Sequence, residues 1–258
     1  MKETEIIVKK EISLKSPILI EGLPGIGLVG KLAADNIIKE LKAVKFAELY
    51  SPDFPPQVVI EGDSTVRLLR DEFYYWKADH KDQSDLIILV GDHQGMTPQS
   101  FFSIAGNILD FAEHYKTKTL ITLGGLAVGK MSKSPKVYGA VNSKPLVRDF
   151  KKYGVLFEKK TGQGIVGAAG LLLGLSQLRG IKGICLMGET HGNYVDPKAA
   201  KSVLEVLKGY LKLNLKLDDL DKKAQETEEM ITRFEQIQKS QQQPPQQFPK
   251  DDSSAYIR

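Results

Sequence analysis

A repeated punctuation restricts the fold of this chain more than any other feature: short apolar runs that stop on glycine. Residues 17–21 (Pro-Ile-Leu-Ile-Glu) run into Gly22, 86–90 (Leu-Ile-Ile-Leu-Val) into Gly91, 119–123 into Gly124-Gly125 and 184–187 into Gly188. A strand with one wet face alternates apolar and polar residues; these runs do not, so both of their faces are covered. Helical spacing follows three of them. Leu28, Leu32, Ile37, Ile38 and Leu41 lie along a helix over 28–41, and a second helical pattern fills 99–114. Asp196-Pro197 opens a third helix, with an N-cap residue and proline at the first helical position. Strand, glycine turn and helix in that order build βαβ units, and their repetition predicts an α/β fold with a mainly parallel sheet. Residues 6–14 read as a peripheral strand. Pro55-Pro56, the Glu61-Gly62-Asp63 turn and the run Phe73-Tyr74-Tyr75-Trp76 read as a β-hairpin inserted between the first two units.

Composition narrows the class. With 258 residues, 41% of them apolar, the chain can bury a sizeable core. Its 36 lysines and arginines are interspersed with 32 aspartates and glutamates, leaving a net charge of +4 and no basic block carrying aromatics. Neither nucleic acid nor a membrane surface is expected as a partner. The opening Met1-Lys2-Glu3-Thr4-Glu5 is charged where a signal peptide would be apolar, and no run approaches the ~18 apolar residues of a membrane helix. Cys185 is the sole cysteine, which fits a reducing cytoplasm.

Composition shifts after about residue 216. Residues 217–239 hold no glycine or proline, and Leu217, Leu220, Ala224, Ile231 and Phe234 leave one narrow apolar stripe. The chain therefore divides into an α/β domain (1–215), a charged helical extension (216–240) and a flexible tail (241–258). The tail is built of Gln, Pro, Asp and Ser and ends in Ala255-Tyr256-Ile257-Arg258.

Several motifs bear on chemistry. Gly25-Ile26-Gly27-Leu28-Val29-Gly30 matches the dinucleotide fingerprint between a strand and a helix, and Glu48 stands where a ribose ligand would. The same glycines also serve a turn that only packs closely, which Pro24 would stiffen. Asp92-His93 and Glu189 with His191 follow apolar strands, at the edge where parallel sheets bind ligands. They pair an acid with a histidine, as a base with its orienting partner or half a metal site does, or they cap helices and loops. Gly25, Gly27, Gly30, Asp92, Glu189 and His191 are thus the candidate ligand residues. Neither metal nor cofactor is assigned, because no Gly-x-Ser-x-Gly, His-Glu-x-x-His or paired-cysteine motif accompanies them. Residues 162–174 read as a small-residue helix. Gly167, Gly170 and Gly174 on it allow close backbone approach within a subunit or across an oligomer interface, and Gly162 with Gly164 offers a phosphate loop as the other reading.

These stretches resemble, in order and over roughly residues 5–210, the PAC-two proteasome assembly chaperone family, its archaeal PbaB-type members in particular. The matching segments are Gly22 to Gly30, Gly91-Asp92-His93-Gln94, Thr122-Leu123-Gly124-Gly125, the helix at 162–174, and Glu189-Thr190-His191-Gly192-Asn193-Tyr194-Val195-Asp196-Pro197. The resemblance implies a phosphorylase-like three-layer α/β/α sandwich in a homo-oligomer, a trimer or tetramer. It further implies an ATP-independent chaperone or proteasome-binding factor that engages 20S α subunits. PbaB-type members carry a docking tail of the pattern hydrophobic-tyrosine-any residue. Here the last three residues are Tyr256, Ile257 and Arg258, with the aromatic one place early. The competing reading is a nucleotide- or phosphate-binding enzyme built on the 25–30 loop with Asp92, Glu189 and His191.

Overall fold

A computed structural model describes residues 1–157 and 164–241. The four apolar runs lie side by side in one eight-stranded sheet. They are β2 (Ile18–Gly22), β7 (Leu86–Gly91), β8 (Thr119–Ala127) and β10 (Lys182–Thr190), joined in parallel in the order β7-β2-β8-β10. Antiparallel strands flank this centre. On one side stand β6 (Asp71–Trp76), β3 (Val44–Tyr50) and β1 (Glu5–Val8), and on the other β9 (Val137–Val141). The hairpin of β4 (Val58–Ile60) and β5 (Val66–Leu68) forms a separate two-stranded sheet.

Both faces of the central strands are buried, as their unbroken apolar runs require. Ile18, Ile20, Leu86, Ile88, Ile121 and Ile184 point into a core shared with α1 (Val29–Leu41), α3 (Pro145–Lys151) and α5 (Pro197–Leu211). Leu19, Ile87, Leu89 and Leu120 point the other way, against α2 (Pro98–His114) and α4 (Ala168–Leu178). The result is the expected three-layer α/β/α sandwich. The glycine turns all stand at its C-terminal rim.

Local chemistry sets the helix boundaries. Thr97 caps α2 by accepting the Ser100 N–H (3.1 Å), and the Ser100 hydroxyl accepts the Thr97 N–H in return. Asp196 accepts the Ala199 N–H (2.9 Å) at the start of α5, with Pro197 following. α6 (Asp218–Gln241) runs back along α5, burying Leu220 and Ala224 and pairing Lys201 with Asp221 and Lys198 with Glu228.

Three sequence expectations are corrected. The run Phe73–Trp76 belongs to β6 in the main sheet and not to the inserted hairpin, which spans only 58–68. Its period-two pattern buries Phe73 and Trp76 on opposite faces, and Phe73 joins a ring cluster with Phe46, Phe111 and Tyr115. The small-residue helix begins at Ala168, because Gly167 takes φ +90° and ends the preceding irregular segment. The peripheral strand is the short β1 rather than all of 6–14. The readings placed on Gly162, on the Phe234 side chain and on Tyr256, Ile257 and Arg258 lie outside the described residues.

Candidate functional site

At the rim, the glycine turn after β2 is held by packing. A side chain on Gly30 would collide with the Leu123 carbonyl of β8, so its absence lets α1 lie directly on the sheet. Gly27, at φ +63°, sits where a Cβ would come 2.8 Å from the Thr190 hydroxyl, and its carbonyl accepts the Asp196 N–H (2.9 Å). Gly125 faces the Ile26 carbonyl with equally little room. Gln94, quoted above only as part of a motif, ties this corner together. Its Nε2 donates to the Pro24 carbonyl, and its Oε1 accepts the Ala168 N–H (2.6 Å) at the start of α4.

The candidate acids are engaged elsewhere. Asp92 accepts a two-pronged ion pair from Arg67 and the Arg70 N–H (3.1 Å). Burial alone would raise its carboxyl, but the Arg67 and Arg70 bonds outweigh burial and hold it below the usual range. Glu189 accepts the Lys136 N–H and the Tyr138 hydroxyl, both at 3.1 Å, and so fastens the approach to β9. His191 lies 5.0 Å from the Tyr194 ring, and its Nδ1 is buried without a hydrogen-bond partner among the described residues. Two strands separate β7 from β10, which puts Asp92 ~14 Å from Glu189 and His191 at the usual strand spacing. These groups do not meet on one reacting atom.

The dinucleotide geometry fails for a similar reason. In that motif the acidic residue ends the strand next to the glycine turn. Here Glu48 lies on β3, which β6 and β7 separate from β2. Burial works to raise its carboxyl, yet hydrogen bonds from Lys45 and Tyr50 and the charge of Arg70 bring it down to about 2. It is the hub of an ion network.

Sequence reasoning missed Glu21, the most unusual group at the rim. It is the next-to-last residue of β2, with 1% exposure. Its Oε1 accepts the Leu23 N–H (2.9 Å), while Oε2 has no hydrogen-bond partner among the described residues. Burial pushes this carboxyl up to about 8, against the opposing backbone amides of Leu23 and Leu123, so it is mostly neutral at pH 7. It borders a cavity of about 140 Å³ with Leu23, Ile26, Leu123, Ile165 and Met187. The described lining holds no lysine or arginine, a poor match to the backbone-and-cation cradles that bind phosphate. A glutamate ending an apolar run was the available signal. Asp71 stands nearby on the same face of the sheet, opposite Gly91, which lacks a side chain where the Asp71 carboxyl lies. Burial raises Asp71 well above its ordinary value as well. Among the described residues, no three His, Cys, Asp or Glu side chains are grouped to hold a metal, and no helix is long and apolar enough to cross a membrane.

Fold and rim together define a three-layer α/β/α protein whose sheet edge is closed by its own side chains. The chain belongs to the PAC2 family, whose model matches residues 19–235. It is 47% identical to the crystal structure of Pyrococcus furiosus PbaB, an archaeal proteasome activator, covering 91% of this chain and 100% of that one with a TM-score of 0.88. It is 30% identical to Pyrococcus furiosus PbaA, an archaeal homolog of proteasome-assembly chaperone, covering 93% and 95% of the two chains with a TM-score of 0.76. An uncharacterized protein of Methanocaldococcus jannaschii is 40% identical over 243 residues, 92% of each chain.

Proposed function

We propose that this protein is an ATP-independent proteasome-binding factor, an activator or assembly chaperone, that engages 20S α subunits partly through its carboxy-terminal residues. One observation carries the reading: likeness to a proteasome activator extends over nearly the whole of both chains at 47% identity. The rim geometry supports it from the other side, since the candidate acids Asp92 and Glu189 are engaged by Arg67, Lys136 and Tyr138.

Copies of the chain associate, in this reading, through the outer face of α4. That helix is apolar on both sides, as helices covered on both sides are. Leu178 is 83% exposed and Val166, just before the helix, 90% exposed, while Gly174 opens onto free space. Association sets several tails side by side, and linked weak contacts raise avidity by ~10²–10⁴-fold. Tyr256, Ile257 and Arg258 supply an aromatic ring, an aliphatic group and a guanidinium for a pocket on the partner. The test is a pull-down of recombinant 20S particles with the full chain and with a chain ending at Gln241. Capture by the full chain and sharply weaker capture by the shorter one is the expected result. No capture by the full chain refutes the function, and equal capture removes the tail from it.

A further inference from the structure

The hairpin β4–β5 has one face on the protein and one face that no described residue covers. Val58 pairs with Leu68 and Ile60 with Val66 across the two strands, so all four side chains stand on the same side. They are 50%, 56%, 73% and 63% exposed respectively. On the opposite side Val59 packs against the core, and Arg67 is pinned by Asp92 and Glu61. The uncovered face continues into a groove of about 430 Å³ bordered by Tyr50, Pro52, Phe54 and Pro55. A two-stranded sheet is marginal by itself, and a contiguous apolar patch on the order of a few hundred Å² on a soluble chain marks a place where another protein sits.

Its position says which protein. The hairpin leaves β3 and enters β6 at the C-terminal rim, where Arg67 meets Asp92. α6 runs antiparallel to α5 and draws level with the rim where Glu228 pairs with Lys198, in the first turn of α5. From there to Gln241 the helix continues past the rim for about 20 Å. The chain beyond, residues 242–258, therefore departs from the hairpin's end of the molecule, and seventeen residues of such composition span about 20 Å. A partner that holds the terminal residues is thereby brought within reach of this rim. The outer face of α4 belongs instead to the flank of the sandwich.

Resting on the proteasome-binding reading, we propose that the Val58, Ile60, Val66 and Leu68 face is a second docking surface for the 20S α ring, meeting an uncharged apolar patch on it. The folded domain then contributes contact energy of its own, and the tail's contact becomes intramolecular once the hairpin is seated.

The experiment measures affinity for purified 20S particles by surface plasmon resonance, using the full chain, the full chain with Ile60→Ser and Val66→Ser, and both in the form ending at Gln241. Light scattering reports oligomer mass, and thermal unfolding reports the fold. The double substitution is expected to weaken binding at least tenfold in the full chain and to abolish what binding the truncated chain retains. Oligomer mass and melting midpoint should stay at the wild-type values. Unchanged affinity overturns the proposal. So does a fall in oligomer mass, which would make the face a contact between copies. If the unsubstituted full chain fails to bind at all, the proteasome reading itself falls, and this inference falls with it. A lowered melting midpoint is met by the milder Val66→Thr, which keeps the β-branched shape and must still weaken binding.

Discussion

The rim turns and the β4–β5 hairpin stand at the same end of the molecule, yet they use their residues in opposite ways. The rim is rich in groups associated with catalysis, and the structure engages its glycines and the two acids that the sequence singled out, Asp92 and Glu189. Glycines are filled by neighbouring backbone, and carboxylates accept bonds from Arg67, Arg70, Lys136 and Tyr138. The hairpin keeps its acids, Glu61 and Asp63, in its turn, and four apolar side chains on its strands have no cover among the described residues. Reactive residue types therefore mislead here, while unmet burial informs. A carboxylate already paired has nothing left for a ligand, whereas exposed apolar surface loses ~25 cal/mol per Å² until something covers it.

The comparison breaks most visibly at Gly30. If the rim is packing, Gly30→Ala should destabilise the fold by about 3 kcal/mol or more, because its methyl group meets a backbone carbonyl that cannot rotate away. Gly106→Ala, in open space on α2, should cost nothing measurable and serves as the control by the same chemical denaturation. A tolerant Gly30 would return the turn to the class of ligand loops.

The buried carboxyls come next. Folded Glu21 keeps its proton up to about pH 8, whereas the unfolded chain gives it up near 4.5. The native state thus binds more protons between these values, and stability falls as pH rises through that window, then levels off. The fall should be on the order of a few kcal/mol, with Asp71 acting in the same direction. Glu21→Gln should lessen the slope between pH 5 and 8 by the share that Glu21 contributes, leaving that of Asp71. An unchanged slope would mean that Glu21 is charged in the folded protein.

Smaller effects sharpen the picture. Asp196→Ala removes the cap of α5 and should cost about 1 kcal/mol in thermal or urea unfolding, without altering affinity for 20S particles. Smallest is the expected response to small ligands. Saturating NAD, nucleosides or phosphate should leave the melting midpoint where it was. A true rim ligand at a hundred times its dissociation constant would contribute ~2.7 kcal/mol.

Much of the fold was legible because its causes are local. The unbroken runs at β2, β7, β8 and β10 announce two-sided burial, and Asp196-Pro197 announces a helix start with its own cap. Strand order was not legible, since β3 follows α1 in sequence but lies three places from β2. That misplacement is why Glu48 read as a ribose ligand and why Phe73–Trp76 read as part of an insertion. The pairing of Arg67 with Asp92 depends on tertiary placement too, and no spacing rule encodes it. The alternation of Val58 with Ile60 and of Val66 with Leu68 was present to be read. Only coordinates show that no described residue lies over them.

Hydrogen exchange on the full chain, free and bound to 20S particles, tests the whole account at once. Slowed exchange over Val58–Leu68 and over residues 242–258, with the amides from Gly22 to Gly30 unchanged, is the predicted footprint. Protection concentrated on the glycine turns, with the hairpin exchanging as before, would contradict it.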